Sequence, residues 1–197
     1  MAKDTKQRIL ETAYQLFLER GYDAVSISML QKEMGIGRAT MYHHFTSKQD
    51  LFEAIVDLKF RIEEQSGAQY ENDDEILSEH LRNRIEKARQ TLKNTKNIQA
   101  ISMLNYYVLS FQALDKIPDL ADKSAHIHAE ETRNWARVIQ NSVNSGEIDQ
   151  NTDVNLAAEL FMNVKHGVSV MASPKISMEE TINKIDEMYQ YLFALLK

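Results

Sequence analysis

Five side chains that can bond phosphates or base edges fall within seven residues of this sequence: Arg38, Thr40, Tyr42, His43 and His44. Arginine offers a planar fork of N–H donors that can engage two acceptors on a guanine edge. Hydroxyl and imidazole groups suit phosphate oxygens. This is chemistry of recognition. Nothing in the chain reads as catalytic: it has no glycine-rich phosphate loop, no Gly-x-Ser-x-Gly, no His-Glu-x-x-His and 0 Cys. The chain is therefore read as a non-enzyme, with no cofactor and no metal site.

The elements that must position those residues run from Ser26 to Leu51. Ser26 is a helix N-cap, and Ile27, Leu30 and Met34 form one apolar stripe behind it. Gly35 ends that helix, and Gly-Ile-Gly turns the chain with Ile36 pointing inward. A second short helix spans about Arg38 to Phe45. Its Met41 and Phe45, four apart, face inward and leave the polar set outside. Ser47 to Asp50 forms a capping box that opens the next helix. Two short helices joined by a glycine turn describe a helix-turn-helix. The bland alternative is a small packing module with a polar outer face. The DNA-contact residues expected are Ser26, Gly37, Arg38, Ala39, Thr40, Tyr42, His43, His44 and Lys48, with Lys48 bonding phosphate at a helix N-terminus.

The stretch GIGRATMYHHFTSKQDLF resembles the recognition-helix signature of the TetR family of bacterial transcriptional regulators. The upstream Ile9-Leu10, Ala13, Leu16-Phe17, Gly21-Tyr22 and Ser26-Ile27 are similar to that family's first helix and turn. The likeness covers about the first quarter of the chain. Two positions depart from it: Gly37 stands where many members carry Ser or Thr, and Val25 where they carry Thr. Gly37 retains a backbone N–H for phosphate but no side chain. The resemblance implies a larger C-terminal domain with a ligand cavity, release of DNA on ligand binding, and dimerisation through the last two helices.

The chain has 197 residues, 43% hydrophobic and 26% charged, which is ordinary for a globular protein. Only 2 Pro and 6 Gly argue against a many-turned β fold. The polar start, MAKDTKQR, has no signal-peptide apolar core, and no apolar run reaches bilayer length, so the cytoplasm is expected. The net charge of −6, taken over the whole chain, opposes a nucleic-acid partner. Of 23 Lys/Arg and 29 Asp/Glu, however, residues 1–50 hold 7 and 6, leaving 16 and 23 for the rest. The acidity lies outside the reading head, and a local patch decides phosphate binding, here Lys3, Lys6, Arg38 and Lys48 with two histidines.

Along the chain the periodicity predicts helices only. The first is carried by Ile9, Leu10, Ala13, Leu16 and Phe17 and closed by Gly21. A helix from about Lys48 to Glu64 spans head and body, a candidate lever ending on Phe60 and Ile62. Gln65 to Asp74 is a linker, with Asp73 or Asp74 capping the next helix. Ile98 to Leu114 favours helix over strand. Pro118 either starts the following helix or bends a continuous one, and Gly146 ends it. Val154 to Met171 and Met178 to Leu196 close the chain.

Met103, Tyr106, Tyr107, Ser110 and Phe111 form one aromatic, partly polar face, and His128, Thr132 and Trp135 another. Together they could line a ligand pocket; plain core is the alternative. His126 and His128, two apart on a helix, point to different sides and do not make a metal site. Gly167 inside an apolar helix suggests close approach of a second subunit, or a frayed end. The interface residues expected are Phe161, Val164, Gly167, Val168, Ile185, Tyr189 and Leu192.

The expectation is an all-α chain of about nine helices. Residues 1–48 form the helix-turn-helix domain and 49–197 the ligand-binding and dimerisation domain. The function expected is sequence-specific regulation of transcription. A homodimeric repressor binds a pseudo-palindromic operator and leaves it on binding a small molecule. The alternative is a DNA-binding protein controlled by a protein partner.

Overall fold

A computed structural model describes residues 2–68, 72–94, 103–172 and 176–197, with side chains for 5–58, 72–93, 104–172 and 176–197. Among the described residues every regular element is helical. In order these are α1 (Ala2–Arg20), α2 (Ile27–Met34), α3 (Arg38–His44), α4 (Lys48–Ala68), α5 (Leu77–Asn94), α6 (Met103–Lys116), α7 (Leu120–Ser145), α8 (Val154–Met171) and α9 (Met178–Leu195). The chain gathers into two units, one of residues 1–66 with 105–121, the other of 67–104 with 122–197. Beside residues 1–48 the first unit takes in most of α4, whose apolar face includes the buried Leu51, Phe52 and Ile55, and most of α6.

In the first unit, the predicted stripe of α1 is buried at Ile9, Ala13, Leu16 and Phe17. Gly21, at φ 78, ends the helix, and its N–H reaches the Phe17 carbonyl at 2.8 Å. Leu30 of α2, Met41 of α3, the following Phe45, and Leu51, Phe52 and Ile55 of α4 complete the buried set. Ser26 Oγ accepts the Met29 N–H, and Gly35 takes the left-handed conformation at φ 65. The cap of α4 differs in one detail from the box expected. Ser47 Oγ accepts the Asp50 N–H at 3.0 Å, but the Asp50 carboxylate accepts from Thr46, through its N–H at 2.7 Å and its hydroxyl at 2.9 Å.

The second unit is built on Trp135 of α7, fully buried and stacked on Phe161 of α8 at 5.4 Å, with Tyr189 of α9 at 5.6 Å. Leu77, Leu81 and Ile85 of α5 close the same core. Neither Asp73 nor Asp74 caps α5. Its Leu77 N–H donates to Ser142 Oγ of α7 at 2.6 Å, and Asn141 bonds the Asp73 and Glu75 carbonyls. The cap is tertiary, which a local pattern does not reveal. Ser177 and Glu180 form a reciprocal capping box at α9 that the sequence reading missed. Pro118 neither starts α7 nor bends a continuous helix. The Leu120 N–H reaches the Ile117 carbonyl, and Asp119 sits at φ 62, the arrangement of a type II turn with proline second.

His80 of α5 is also inside this core, 0% exposed, with Nδ1 2.7 Å from the Glu75 carboxylate. Burial, reinforced by Arg84, pushes the imidazole down to about 4, against the pull of Glu75. Between its ordinary value and about 4, the unfolded chain takes up a proton that the folded chain refuses, so stability falls as pH falls through that window. Melting temperatures measured from pH 7 down to pH 4 are expected to decline, and His80→Gln should flatten that part of the decline.

Candidate nucleic-acid interface

The helix α3 turns Met41 into the head and its other side to solvent. Gly37, Arg38, Ala39, Thr40, Tyr42 and His43 are exposed and His44 is half-buried. Gly37 occupies the N-cap with no side-chain bond to the helix. The Arg38 guanidinium lies over the Tyr42 ring at 5.4 Å, and the His43 and His44 rings meet edge to face at 5.0 Å. Ser26, exposed at the start of α2, uses one lone pair on Met29 and keeps its hydroxyl proton for another acceptor. The surface is rich in donors, as contacts to phosphate and base edges require.

The Lys48 ammonium is engaged within the chain. Its Nζ donates to the carbonyls of Tyr22 at 3.0 Å and Val25 at 2.9 Å, and lies 4.1 Å from the centre of the Tyr22 ring. The ammonium thus ties the connection between α1 and α2 to the start of α4. A phosphate would have to compete with two carbonyls and a ring. The sequence showed the cation at a helix start, but the opposing carbonyls come from residues more than twenty positions away. Lys6, of the basic patch expected to meet phosphate, is exposed on α1, with its ammonium 5.5 Å from the Phe45 ring at the end of α3, which brings a cation beside that helix.

The helix α6 is bonded into this head by backbone atoms. Gln112 Oε1 accepts the Tyr22 N–H at 3.0 Å, Asn105 donates to the Leu18 carbonyl at 2.9 Å, and Gln49 donates to the Lys116 carbonyl at 3.1 Å. Lys116 pairs with Asp23 at 3.3 Å. No sequence signal marked Gln49 or Gln112, since neutral amides on a helix read as ordinary solvent-facing residues.

The two faces expected to line a ligand pocket fall in different units. On α6, Tyr106, Tyr107 and Ser110 are half-buried and Phe111 is 59% exposed; the Met103 side chain lies outside the described residues. Phe60 and Ile62, the expected far end of the α4 lever, lie outside the described side chains too. On α7, His128 is exposed, and Thr132 donates to the His128 carbonyl and the Met162 sulfur. Trp135 is core rather than wall. Among the expected interface residues, Phe161, Val164, Ile185 and Tyr189 are buried within the chain itself, while Val168 and Leu192 are half-buried and Gly167 is exposed with nothing near its α-carbon. Helical spacing identified apolar stripes but did not separate the inner rows from the outer ones.

Residues 9–55 match the family model described as bacterial regulatory proteins, tetR family. Over that segment, about a quarter of the chain, the head is similar to the tetR family. An HTH-type transcriptional regulator of Staphylococcus aureus (strain USA300) is 48% identical over 50 residues, which are 25% of this chain and 27% of that protein's length. The solved structures extend the likeness to the whole fold. A TetR-family transcriptional regulator from Agrobacterium tumefaciens superposes with a TM-score of 0.70 at 19% identity, over 97% of this chain and 98% of that one. A protein from Saccharomonospora viridis, solved in complex with choline, gives 0.67 at 18% identity over 96% and 97%. These structural likenesses speak for the fold alone. Among the described residues, no helix is long and apolar enough to cross a membrane, and no three His, Cys, Asp or Glu side chains gather as a metal site would need.

Lys48→Met should lower the stability of the head by about 1–2 kcal/mol, the range for a charge-assisted bond at a half-exposed site. Thermal melting reads this directly. The salt dependence of DNA binding should stay as in the wild type; a shallower slope would return Lys48 to the phosphate contacts.

Proposed function

We propose that this chain is a sequence-specific DNA-binding regulator of transcription, working in the bacterial cytoplasm as a homodimeric repressor of a pseudo-palindromic operator. The observation that carries the reading is the outer face of α3. A TetR head presents Arg38, Ala39, Thr40, Tyr42 and His43 to solvent while Met41 and Phe45 anchor the helix from behind. That face fits the major groove, with the donors on the bases and the flanking phosphates. The Staphylococcus aureus relative, a named transcriptional regulator, supports it over the matched segment.

Dimerisation is supported by an unpaired apolar surface on the last two helices. Leu156, Leu160 and Met171 of α8 and Met188, Tyr191 and Leu195 of α9 are all exposed, and Met171 is 83% so. Gly167 lies on the same stripe of α8, at a four-residue step from Met171 and open to solvent. The rows proposed for the interface are therefore these outer ones, rather than Phe161 or Tyr189. Release by a small molecule is the further part of the reading. It draws support from the Saccharomonospora viridis protein, whose fold is shared and which was solved with choline bound. An inducer that lowers DNA affinity must itself bind the DNA complex less tightly by the same factor.

The reading is tested by selecting bound duplexes from fragmented source DNA at low salt. The expected result is a two-fold symmetric site with half-sites one helical turn apart, about 34–36 Å. Failure to enrich any sequence would sink it. The dimer is tested by sedimentation at micromolar concentration. Leu160→Glu should give a folded monomer, because that side chain is half exposed in the single chain. Phe161→Glu should instead unfold the protein. Leu160→Glu that remained a dimer would overturn the proposed surface.

A further inference from the structure

The head contains several contacts of a cation with an aromatic ring, and they differ in what they hold. Lys6 lies over Phe45, and Lys48 and Lys116 lie over Tyr22; both rings are buried, at 2% and 7% exposure. Those contacts pack the head. Arg38 over Tyr42, at 5.4 Å, is unlike them: both residues are exposed, and both stand on the outer face of α3. Four residues apart, they project from neighbouring turns on one side of the helix.

The pair packs no core, so its presence needs another account. A guanidinium reads guanine only when its plane and its two N–H vectors align with the base edge. A free arginine side chain samples many directions in water and loses that freedom on binding. A ring lying against the guanidinium limits its orientation beforehand. Gly37, directly before Arg38, has no side chain to do so.

We propose that Tyr42 is a specificity-determining residue of the head, a positioning residue whose ring orients Arg38 toward one base pair in each half-site. The inference rests on the DNA-binding reading above. It separates two uses of tyrosine that the sequence does not distinguish. Through its hydroxyl, Tyr42 would bond a phosphate and add affinity for every sequence alike. Through its ring, it sharpens the choice of base at the position Arg38 reads.

The full-length protein is used throughout. The wild type first selects its preferred site from a library of randomised duplexes at low salt. Affinities are then measured for each single base-pair change in that site, for wild type, Arg38→Ala, Tyr42→Ala, Tyr42→Phe and the double variant Arg38→Ala with Tyr42→Ala. Arg38→Ala should abolish discrimination of about 5- to 150-fold at one position of each half-site, the range of a bidentate arginine contact. Tyr42→Ala should lower discrimination at that same position by about 2- to 5-fold, as expected for losing an exposed cation–ring contact. Tyr42→Phe should keep the preference, and the double variant should discriminate no less than Arg38→Ala alone.

Melting curves should be unchanged, since Tyr42 is 42% exposed. Two results would overturn the proposal while leaving DNA binding intact. In one, Tyr42→Ala weakens all sequences equally. In the other, Tyr42→Phe loses the preference as Tyr42→Ala does, which would assign the effect to the hydroxyl rather than the ring. A wild type that selects no site at all would overturn the DNA-binding reading, and this inference with it.

Discussion

Tyr22 makes use of every atom it has for holding the first unit together. Its ring meets Phe52 at 4.4 Å and Phe17 at 5.5 Å, with the ammonium groups of Lys48 and Lys116 at 4.1 and 5.3 Å from its centre. Its N–H goes to Gln112, its carbonyl takes a bond from Lys48, and its hydroxyl donates to Gln49. Burial raises the phenol above its ordinary value, although Lys116 pulls the other way, so the hydroxyl stays a donor. A buried polar group is tolerated when its bonds are made. Here they also join the end of α1, the start of α4 and the body of α6. The helix α3, only seven residues long, is anchored in the same unit by Met41 and the following Phe45.

Much of this was legible in the sequence because it depends on local rules. The stripe from Ile9 to Phe17 foretold the buried face of α1. Ser26 and Gly35 foretold the two ends of α2, each through a backbone requirement that few residues meet. The range of α8 followed from its apolar length. For α3, the split between inward Met41 and outward Arg38 and Tyr42 needed only the helical period.

What the sequence concealed was tertiary. Lys48 reads as a free cation until the carbonyls of Tyr22 and Val25 are seen opposite it. Trp135 reads equally well as pocket wall or core, and only the stacking of Phe161 and Tyr189 decides for core. Ser142 caps a helix begun 65 residues earlier, and no window along the chain could pair it with Leu77. The outer rows of α8 and α9 are as apolar as the inner ones, so composition cannot say which row a single chain buries.

The bonding of α6 to the head has a bearing on how the chain is made. Synthesis runs from the N-terminus, so the head leaves the ribosome before α6 does. Yet the partners of the Leu18 carbonyl, the Tyr22 N–H and the Gln49 amide lie at Asn105, Gln112 and Lys116. Closing a loop of that length carries an entropic cost that local helix formation does not. The nascent head therefore waits, lacking these bonds, while α5 and the segment after it are translated. A nascent chain halted before α6 would hold a head without them, and only chains extended past it can form them.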